Sequence, residues 1–139
     1  MKIQLNRLDD HFHFEMTSPD GHIVQTDASV ENDGKNKASR PTDLLLMSLA
    51  ACSSYDVVKI MQKMKVDLKD IKVEVDGEKD RTEVPALFRK IHIKYQLFGD
   101  IPLDKAQRAV DLSISTYCSV SKTLEKIADI TYEVGVVSV

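Results

Sequence analysis

Alternating hydrophobic and polar positions dominate the first part of the chain. Apolar side chains recur at every second position in three short segments, as in strands that bury one face. Turn-forming residues at Asp9-Asp10 and at Ser18-Pro19-Asp20-Gly21 separate these segments. We therefore expect an antiparallel meander, followed by a polar loop from Glu31 to Arg40. The three strands are predicted over residues 2–8, 11–16 and 22–26.

A different pattern begins at Pro41, where apolar residues recur on all sides of a helical repeat up to about Lys65. Pro41 suits the first position of a helix because its missing N–H needs no partner there. Asp43 near the beginning and Lys63 near the end have the charges that the helix dipole favours. Since the first half is apolar around nearly its whole circumference, we expect a central helix that is buried on most sides.

The remainder of the chain alternates again between strand-like and helix-like patterns. The predicted elements are strands over residues 71–75 and 88–97, a helix from Pro102 towards Cys118 with a further helical piece over residues 120–128, and a final strand over residues 130–139. Strands therefore come in blocks with helices between them, in the order β-β-β-α-β-β-α-β. This order predicts an α+β fold in which mostly antiparallel sheets pack around the long central helix.

Composition narrows the range of functions. The chain has 139 residues and a mass of 15.6 kDa, which is enough for a single domain with a hydrophobic core. Its net charge is −3, its basic residues are scattered and it has no Trp, so we expect no nucleic-acid partner. The N-terminus lacks the apolar core of a secretory signal, and the dense apolar stretch from Leu44 to Ala51 is shorter than a membrane span. We therefore expect a cytoplasmic protein that does not bind a membrane.

The two cysteines are the first candidates for chemistry. Cys52 and Cys118 are 66 residues apart, which excludes a C-x-x-C redox pair and closely spaced metal ligands. On a helix, Cys52 shares a face with Asp56 and other polar residues, and Cys118 is flanked by tyrosine and serine. Small core residues and reactive thiols are both compatible with this spacing, and the polar neighbours favour reactive thiols.

The sequence gives little support for metal or nucleotide sites. His11 and His13 are predicted on one face of a strand, but no third ligand accompanies them. The chain contains neither a Gly-rich phosphate-binding motif nor the G-x-S-x-G of α/β-hydrolases. We therefore expect no metal and no cofactor.

Two segments of the chain resemble a known family. Residues 40–58 read RPTDLLLMSLAACSSYDVV, with a proline, an acidic residue, an apolar turn and small residues before Cys52. Residues 117–124 read YCSVSKTL around Cys118. Together they resemble the two cysteine motifs of the OsmC/organic hydroperoxide resistance family, and the resemblance covers nearly the whole chain from Arg40 on. The chain is most similar to the small OsmC-like redox proteins of that family.

The resemblance implies an enzyme of the oxidative stress response, a thiol-dependent peroxidase that forms an intertwined homodimer. Cys52 corresponds to the family's peroxidatic cysteine, which attacks a hydroperoxide and becomes a sulfenic acid. Cys118 corresponds to the resolving cysteine, which converts the sulfenic acid to a disulfide. The implied partners are a small-molecule hydroperoxide, an external thiol reductant and a second copy of the chain.

The family also uses an acidic residue and an arginine near the reactive thiol. Organic hydroperoxide enzymes place Glu directly after the proline, where this chain has Thr42, and Asp43 follows one residue later. Arg40 and Arg7 are the candidates for the arginine, and Arg40 is closer to Cys52 in sequence. We expect the arginine to stabilise the Cys52 thiolate, and Asp43 to orient it through a bidentate pair.

Two functions from different classes remain open. The first is the thiol peroxidase, and the second is a non-catalytic OsmC-like protein that binds a small apolar ligand at the dimer interface. A free cysteine ionises near pH ~8.5, so the first function requires an environment that stabilises the Cys52 thiolate. Reactivity towards peroxide distinguishes the two functions, because only a peroxidase of this type must lose both free thiols.

Overall fold

The computed structural model describes residues 1–139, which divide into two units, residues 1–45 and 46–139. The strands are β1 (Gln4–Arg7), β2 (Phe14–Thr17), β3 (Ile23–Thr26), β4 (Asp70–Lys79), β5 (Phe88–Phe98) and β6 (Asp129–Val137). The helices are α1 (Asp43–Lys63), α2 (Leu103–Leu112) and α3 (Ser119–Leu124). Two three-stranded sheets and three α-helices confirm the predicted α+β class.

The first unit holds the predicted antiparallel meander, with β2 between β1 and β3. Gly21 closes the turn between β2 and β3 with φ at +87°, a conformation that only glycine adopts without strain. After β3 the chain turns around the buried Asp27. Its carboxylate accepts hydrogen bonds from the backbone N–H of Ala28 at 2.7 Å and of Lys37 at 3.0 Å. These bonds shape the polar loop that the sequence predicted.

The second unit is built on β5, which lies between an antiparallel β4 and a parallel β6. Alternate side chains of β5 are at most 1% exposed, as its period-two pattern predicts, and they are Ile91, Ile93, Tyr95 and Leu97. A parallel pair requires a crossover connection, and α2, a π-helical segment and α3 supply it. The sheets are thus mostly antiparallel, as predicted, with β5–β6 as the exception.

Helix α1 is shorter and less buried than predicted. It covers Asp43–Lys63, and Lys65 just beyond it adopts a left-handed conformation with φ at +57°, which ends the helix. Tyr55, in the middle of α1, is 64% exposed. Burial on most sides is therefore wrong for the single chain, in which only one stripe of the helix is buried. That stripe consists of every fourth residue, namely Leu49, Ser53, Val57 and Met61.

By length and hydropathy alone, α1 is long and apolar enough to cross a membrane, although the sequence analysis found no stretch of that length. Core helices of soluble proteins meet the same criterion. The apolar residues of the α1 stripe belong to the same hydrophobic core as the buried face of β5. This packing accounts for the buried stripe of α1 alone, and one helix that meets a criterion of length and composition is weak evidence for a membrane span.

Candidate active site

Cys52 lies beside the buried stripe of α1 and is half-buried. Asp56 follows four residues later, so its side chain stands one helical turn further along the same face. Asp56 is half-buried as well. The helical pattern alone therefore places a thiol and a carboxyl group side by side.

Cys118 lies where the crossover connection changes direction. A π-helical segment, Ser113–Tyr117, follows α2 directly, and Cys118 then takes an extended conformation and caps α3. The N–H of Cys118 donates to the carbonyl of Ser113 at 2.8 Å, and its Sγ accepts a hydrogen bond from the N–H of Ser121 at 3.4 Å. π-Helical turns are often found at functional sites. Here the turn ends the helix just before a fully buried thiol.

The two cysteines meet at one site, together with Asp56. The Sγ atoms of Cys52 and Cys118 and a carboxylate oxygen of Asp56 all lie within 4.8 Å of one another. Both cysteines are free thiols in this structure; a disulfide bond is about 2.05 Å long, so the two sulfur atoms must move closer together to form one. The structure thus brings the two predicted cysteines together and adds a carboxyl group between α1 and the crossover connection.

The surroundings of Cys52 favour its thiolate. Burial raises the pKa of the Cys52 thiol, but hydrogen bonds from the backbone N–H of Val120, from the Cys118 thiol and from the Ser119 hydroxyl outweigh it and lower the pKa. The Ser119 oxygen lies 3.9 Å from Cys52 Sγ. Val120 lies in the first turn of α3, where backbone N–H groups have no partner within the helix.

Cys118 has the opposite tendency. Burial raises the pKa of its thiol, and the proximity of Cys52 raises it further, while the N–H of Ser121 offsets only part of this effect. Cys118 therefore keeps its proton when Cys52 loses its own, and its S–H donates to the Cys52 thiolate. Two chemically identical side chains are differentiated by burial and by the direction of their hydrogen bonds.

Asp56 is a carboxyl group that the site makes harder to ionise. Burial raises the pKa of Asp56, and a hydrogen bond from the Ser113 hydroxyl at 3.4 Å opposes this only in part. The negative charge of Asp56 in turn opposes ionisation of Cys52. The Ser113 hydroxyl also lies 3.0 Å from the carbonyl oxygen of Ser53, so it links the π-helical segment to α1.

A second buried hydrogen bond fixes α1 against the sheet. The Tyr95 hydroxyl of β5 donates to Ser53 Oγ at 2.8 Å, and both side chains are fully buried. Burial raises the pKa of Tyr95 to about 12, so the phenol stays neutral in the physiological range. Because Ser53 follows Cys52 directly, this bond holds the part of α1 that carries Cys52.

Cys52, Asp56 and Cys118 also have the ligand types and mutual distances of a metal site. A metal ion at this cluster would need both cysteines as thiolates, whereas burial raises the pKa of the Cys118 thiol. The sequence analysis did not anticipate this cluster. His11 and His13 instead precede β2, and His13 Nε2 lies 2.7 Å from Gln25 Oε1.

Arg40 and Asp43 belong to the first unit, where they have other partners than predicted. The Arg40 guanidinium donates to the carbonyl of Ala38 at 2.8 Å and to Asn36 Oδ1 at 2.6 Å. Asp43 Oδ2 accepts from the backbone N–H of Arg40 at 3.2 Å, across the turn that leads into α1. The expected bidentate pair between the two side chains is therefore replaced by a bond to the Arg40 backbone. Arg7, the other candidate, donates from Nε to the carbonyl of a turn residue at 2.9 Å.

Comparison with known proteins agrees with this geometry. A family model described as OsmC-like protein matches residues 34–133, a range that includes both cysteines and Asp56. The chain belongs to the OsmC-like family. Protein YhfA of Escherichia coli K12 is 39% identical over 122 residues, which cover 87% of each chain. The predicted family is confirmed.

Solved structures extend the OsmC-like comparison to the fold. A hypothetical protein from Aquifex aeolicus VF5 is 28% identical, with a TM-score of 0.80 over 98% of this chain and 96% of that one. An organic hydroperoxide resistance protein from Legionella pneumophila is 15% identical, with a TM-score of 0.71 over 97% of both chains. At that identity, the likeness to the Legionella protein shows a shared fold alone.

Sequence reasoning missed part of this OsmC-like site. Asp56 was visible as a neighbour of Cys52 on the helix, but nothing in the sequence placed it near Cys118. No feature of the sequence pointed to Ser113 or to the backbone N–H of Val120, because their role depends on where the crossover connection packs.

Proposed function

We propose that this OsmC-like protein is a thiol-dependent peroxidase that reduces organic hydroperoxides. The observation that carries the proposal is the pairing of two thiols within 4.8 Å, one with its pKa lowered and the other with its pKa raised. A dithiol peroxidase needs this difference, because one sulfur must attack as a thiolate while the other waits as a thiol. Cys52 is the attacking residue, and Cys118 is the resolving residue.

The reaction has three steps. The Cys52 thiolate attacks a peroxide oxygen, the O–O bond breaks, and the alkoxide leaves as an alcohol after taking up a proton, so that Cys52 becomes a sulfenic acid. The Cys118 sulfur then attacks Cys52, an S–S bond forms and water leaves. An external thiol finally reduces the disulfide by exchange and is itself oxidised to a disulfide.

A cavity next to Asp56 supports an organic substrate. Its volume is about 380 Å³, and it is lined by Tyr55, Asp56, Lys59, Ile60, Lys63, Met64, Arg108, Leu112 and Tyr117. Apolar and aromatic side chains provide surface for the organic part of a hydroperoxide. Since Asp56 forms part of the wall and lies within 4.8 Å of both sulfur atoms, the peroxide group would reach Cys52 from this side.

The proposed enzyme works as a homodimer. In the single chain, Met47 and Tyr55 on α1 are 49% and 64% exposed, and Leu5 and Ile23 in the meander are 57% and 56% exposed. Exposed apolar side chains in such number are typical of a surface that another chain covers. A second copy of the chain is the partner that the family resemblance implies.

Arg40 and Asp43 complete the proposed catalytic set on the strength of the family motif. Arg40 would stabilise the Cys52 thiolate by its charge. Asp43 would position Arg40 through the hydrogen bond that its carboxylate accepts from the Arg40 backbone N–H. Arg7 is the alternative arginine.

The test is the consumption of an alkyl hydroperoxide and of hydrogen peroxide by the reduced protein, measured by stopped flow with a parallel count of free thiols. The wild type should lose both thiols, Cys52→Ser should consume no peroxide, and Cys118→Ser should react once and stop as a sulfenic acid. Both single variants keep one cysteine and differ in nothing else, so each is the control for the other. If Cys52→Ser consumes peroxide like the wild type, or if both wild-type thiols stay free, the protein is not this peroxidase and the ligand-binding alternative is favoured.

A further inference from the structure

The disulfide-forming step of the proposed reaction requires the transfer of a proton. Cys118 is fully buried, and burial raises the pKa of its thiol, so it enters this step with its proton. That proton must leave as Cys118 Sγ bonds to Cys52, and the hydroxyl group on Cys52 must be released as water. None of the residues assigned so far accepts or supplies this proton.

Asp56 is placed close to both reacting atoms. One of its carboxylate oxygens lies within 4.8 Å of the Sγ atoms of Cys52 and Cys118, a gap that one water molecule or a small side-chain rotation can bridge. The Ser113 hydroxyl lies 3.4 Å from Asp56 Oδ2 and 3.0 Å from the Ser53 carbonyl oxygen, so its single proton is shared between these two acceptors.

The groups around Asp56 favour a carboxyl that exchanges protons. Cys52 faces it from α1, Cys118 from the crossover connection and Tyr95 from β5, and none of these three carries a positive charge. Burial raises the pKa of Asp56 towards that of its thiol partners, which makes proton transfer between them less costly. The other charged or titratable groups on the adjoining cavity wall are Tyr55, Lys59, Lys63, Arg108 and Tyr117.

We propose that Asp56 transfers the proton of the disulfide-forming step, an inference that rests on the proposed peroxidase function. As Cys118 Sγ bonds to the Cys52 sulfur, the Asp56 carboxylate takes the proton from Cys118 and gives it to the hydroxyl that leaves Cys52. The S–H bond of Cys118 and the S–O bond of Cys52 break, and the S–S bond and one O–H bond of water form. The Cys118 sulfur is oxidised, the sulfenic sulfur is reduced, and Asp56 is a carboxylate before and after.

The same carboxylate has the opposite effect on the first step. Its negative charge raises the pKa of Cys52 and so opposes formation of the attacking thiolate. Removal of the charge should therefore leave peroxide attack unchanged or make it faster, while disulfide formation becomes slower. Replacement of a residue that only stabilises the fold would not slow the second step while leaving the first step as fast as before.

The experiment measures both steps in Asp56→Asn, which keeps the size of the side chain and one oxygen that can accept from the Ser113 hydroxyl. Peroxide consumption reports the first step, and the loss of trappable sulfenic acid reports the second. We expect the second step to slow by about 100-fold, the lower end of typical general acid–base effects, and the first step to be at least as fast as in the wild type. The wild-type rate of the second step should fall as the pH drops and Asp56 becomes protonated, and this fall should be absent from the variant.

Two control variants separate chemistry from structure. Asp111→Asn also removes a carboxylate, one that accepts from the Tyr132 hydroxyl at 2.8 Å and is not a member of the cluster of Cys52, Asp56 and Cys118, and it should leave both steps unchanged. Asp56→Glu keeps the carboxyl group and should retain most of the second step. Asp56→Ser, which also lacks the carboxyl group, replaces Asp56→Asn if that variant fails to fold, and a second step as fast as in the wild type would then overturn the role of Asp56. A chelator in every sample excludes a metal ion bound at the site.

A second experiment tests the role of Asp56 without peroxide. Reduced protein is treated with oxidised glutathione, and the release of glutathione from the mixed disulfide on Cys52 is timed as Cys118 attacks. Asp56→Asn should slow this release, because Cys118 loses its proton here as well. Equal release rates in wild type and variant, or equal disulfide formation with the same pH profile, would overturn the role of Asp56. If the wild type consumes no peroxide, the proposed function is overturned instead. The glutathione experiment then tests the role of Asp56 without it.

Discussion

The bond between Tyr95 and Ser53 makes a measurable prediction about what holds α1 in place. Tyr95→Phe removes only a hydroxyl group, but that group donates to Ser53 Oγ at 2.8 Å between two fully buried side chains. Loss of a buried hydrogen bond that leaves an acceptor without its donor costs about 1–2 kcal/mol. The variant should therefore have a free energy of unfolding lower by about that amount at pH 7, with little change in the packing of the ring.

The pH dependence of the free energy of unfolding provides a second test of this bond. Burial raises the pKa of Tyr95 from 10.0 to about 12 in the folded state. A raised folded-state pKa contributes stability that is fully present below pH 10 and is lost as the pH rises towards 12, because the unfolded chain then binds fewer protons than the folded one. At pH ~11 the wild type should have lost about 1.4 kcal/mol through this residue. The Phe variant lacks this loss, so the difference between the two proteins should nearly vanish.

The assay is urea unfolding of reduced protein at fixed chain concentration, at neutral pH and at several values above pH 9. Ser53→Ala and the double variant complete a double-mutant cycle, in which we expect a coupling energy of about 1 kcal/mol. Tyr132, whose pKa is also raised to about 12 by burial, titrates in all four proteins and cancels in the comparison. Equal stability of Tyr95→Phe and wild type at pH 7, with parallel losses above pH 10, would refute the structural role of this bond.

Three further predictions concern the thiols and the assembly. In reduced protein near neutral pH, iodoacetamide should label Cys52 well before Cys118, as read by peptide mass mapping, and equal labelling would contradict the difference between their pKa values. Arg40→Ala should move the pH midpoint of Cys52 alkylation upwards while Arg7→Ala leaves it in place, and the reverse result would assign the role to Arg7. Sedimentation at low micromolar concentration should show a dimer, which typically buries more than ~2,000 Å² when it is obligate, whereas a stable 15.6 kDa species would rule it out.

The local patterns that the sequence predicts well are those fixed by the period of a single element. The alternation in β5 gave the buried face that contains Tyr95, and the helical repeat placed Asp56 beside Cys52. The two cysteine motifs gave the family, because each is a local segment of fixed spacing. These features do not depend on how distant parts of the chain pack.

The features that the sequence did not reveal all depend on tertiary packing. The residues before Cys118 continue the helical pattern of α2, so the π-helical segment Ser113–Tyr117 could not be told from an ordinary helix end. The sequence leads us to expect a cation that lowers the pKa of Cys52. In the structure a hydrogen bond from the backbone N–H of Val120 lowers it, and no pattern of side chains in the sequence predicts that bond. The Arg40 guanidinium is bonded to backbone and side-chain oxygens of its own loop, a geometry set by the loop's conformation.

The mass of the intact protein after one equivalent of alkyl hydroperoxide tests the central claim most directly. The account predicts that wild-type protein becomes lighter by the two thiol hydrogens, that peptide mapping finds a single Cys52–Cys118 disulfide, and that an added thiol restores the original mass. A protein that keeps its mass, or that gains oxygen on Cys52 without ever joining it to Cys118, would contradict the claim that the two cysteines act as one redox pair.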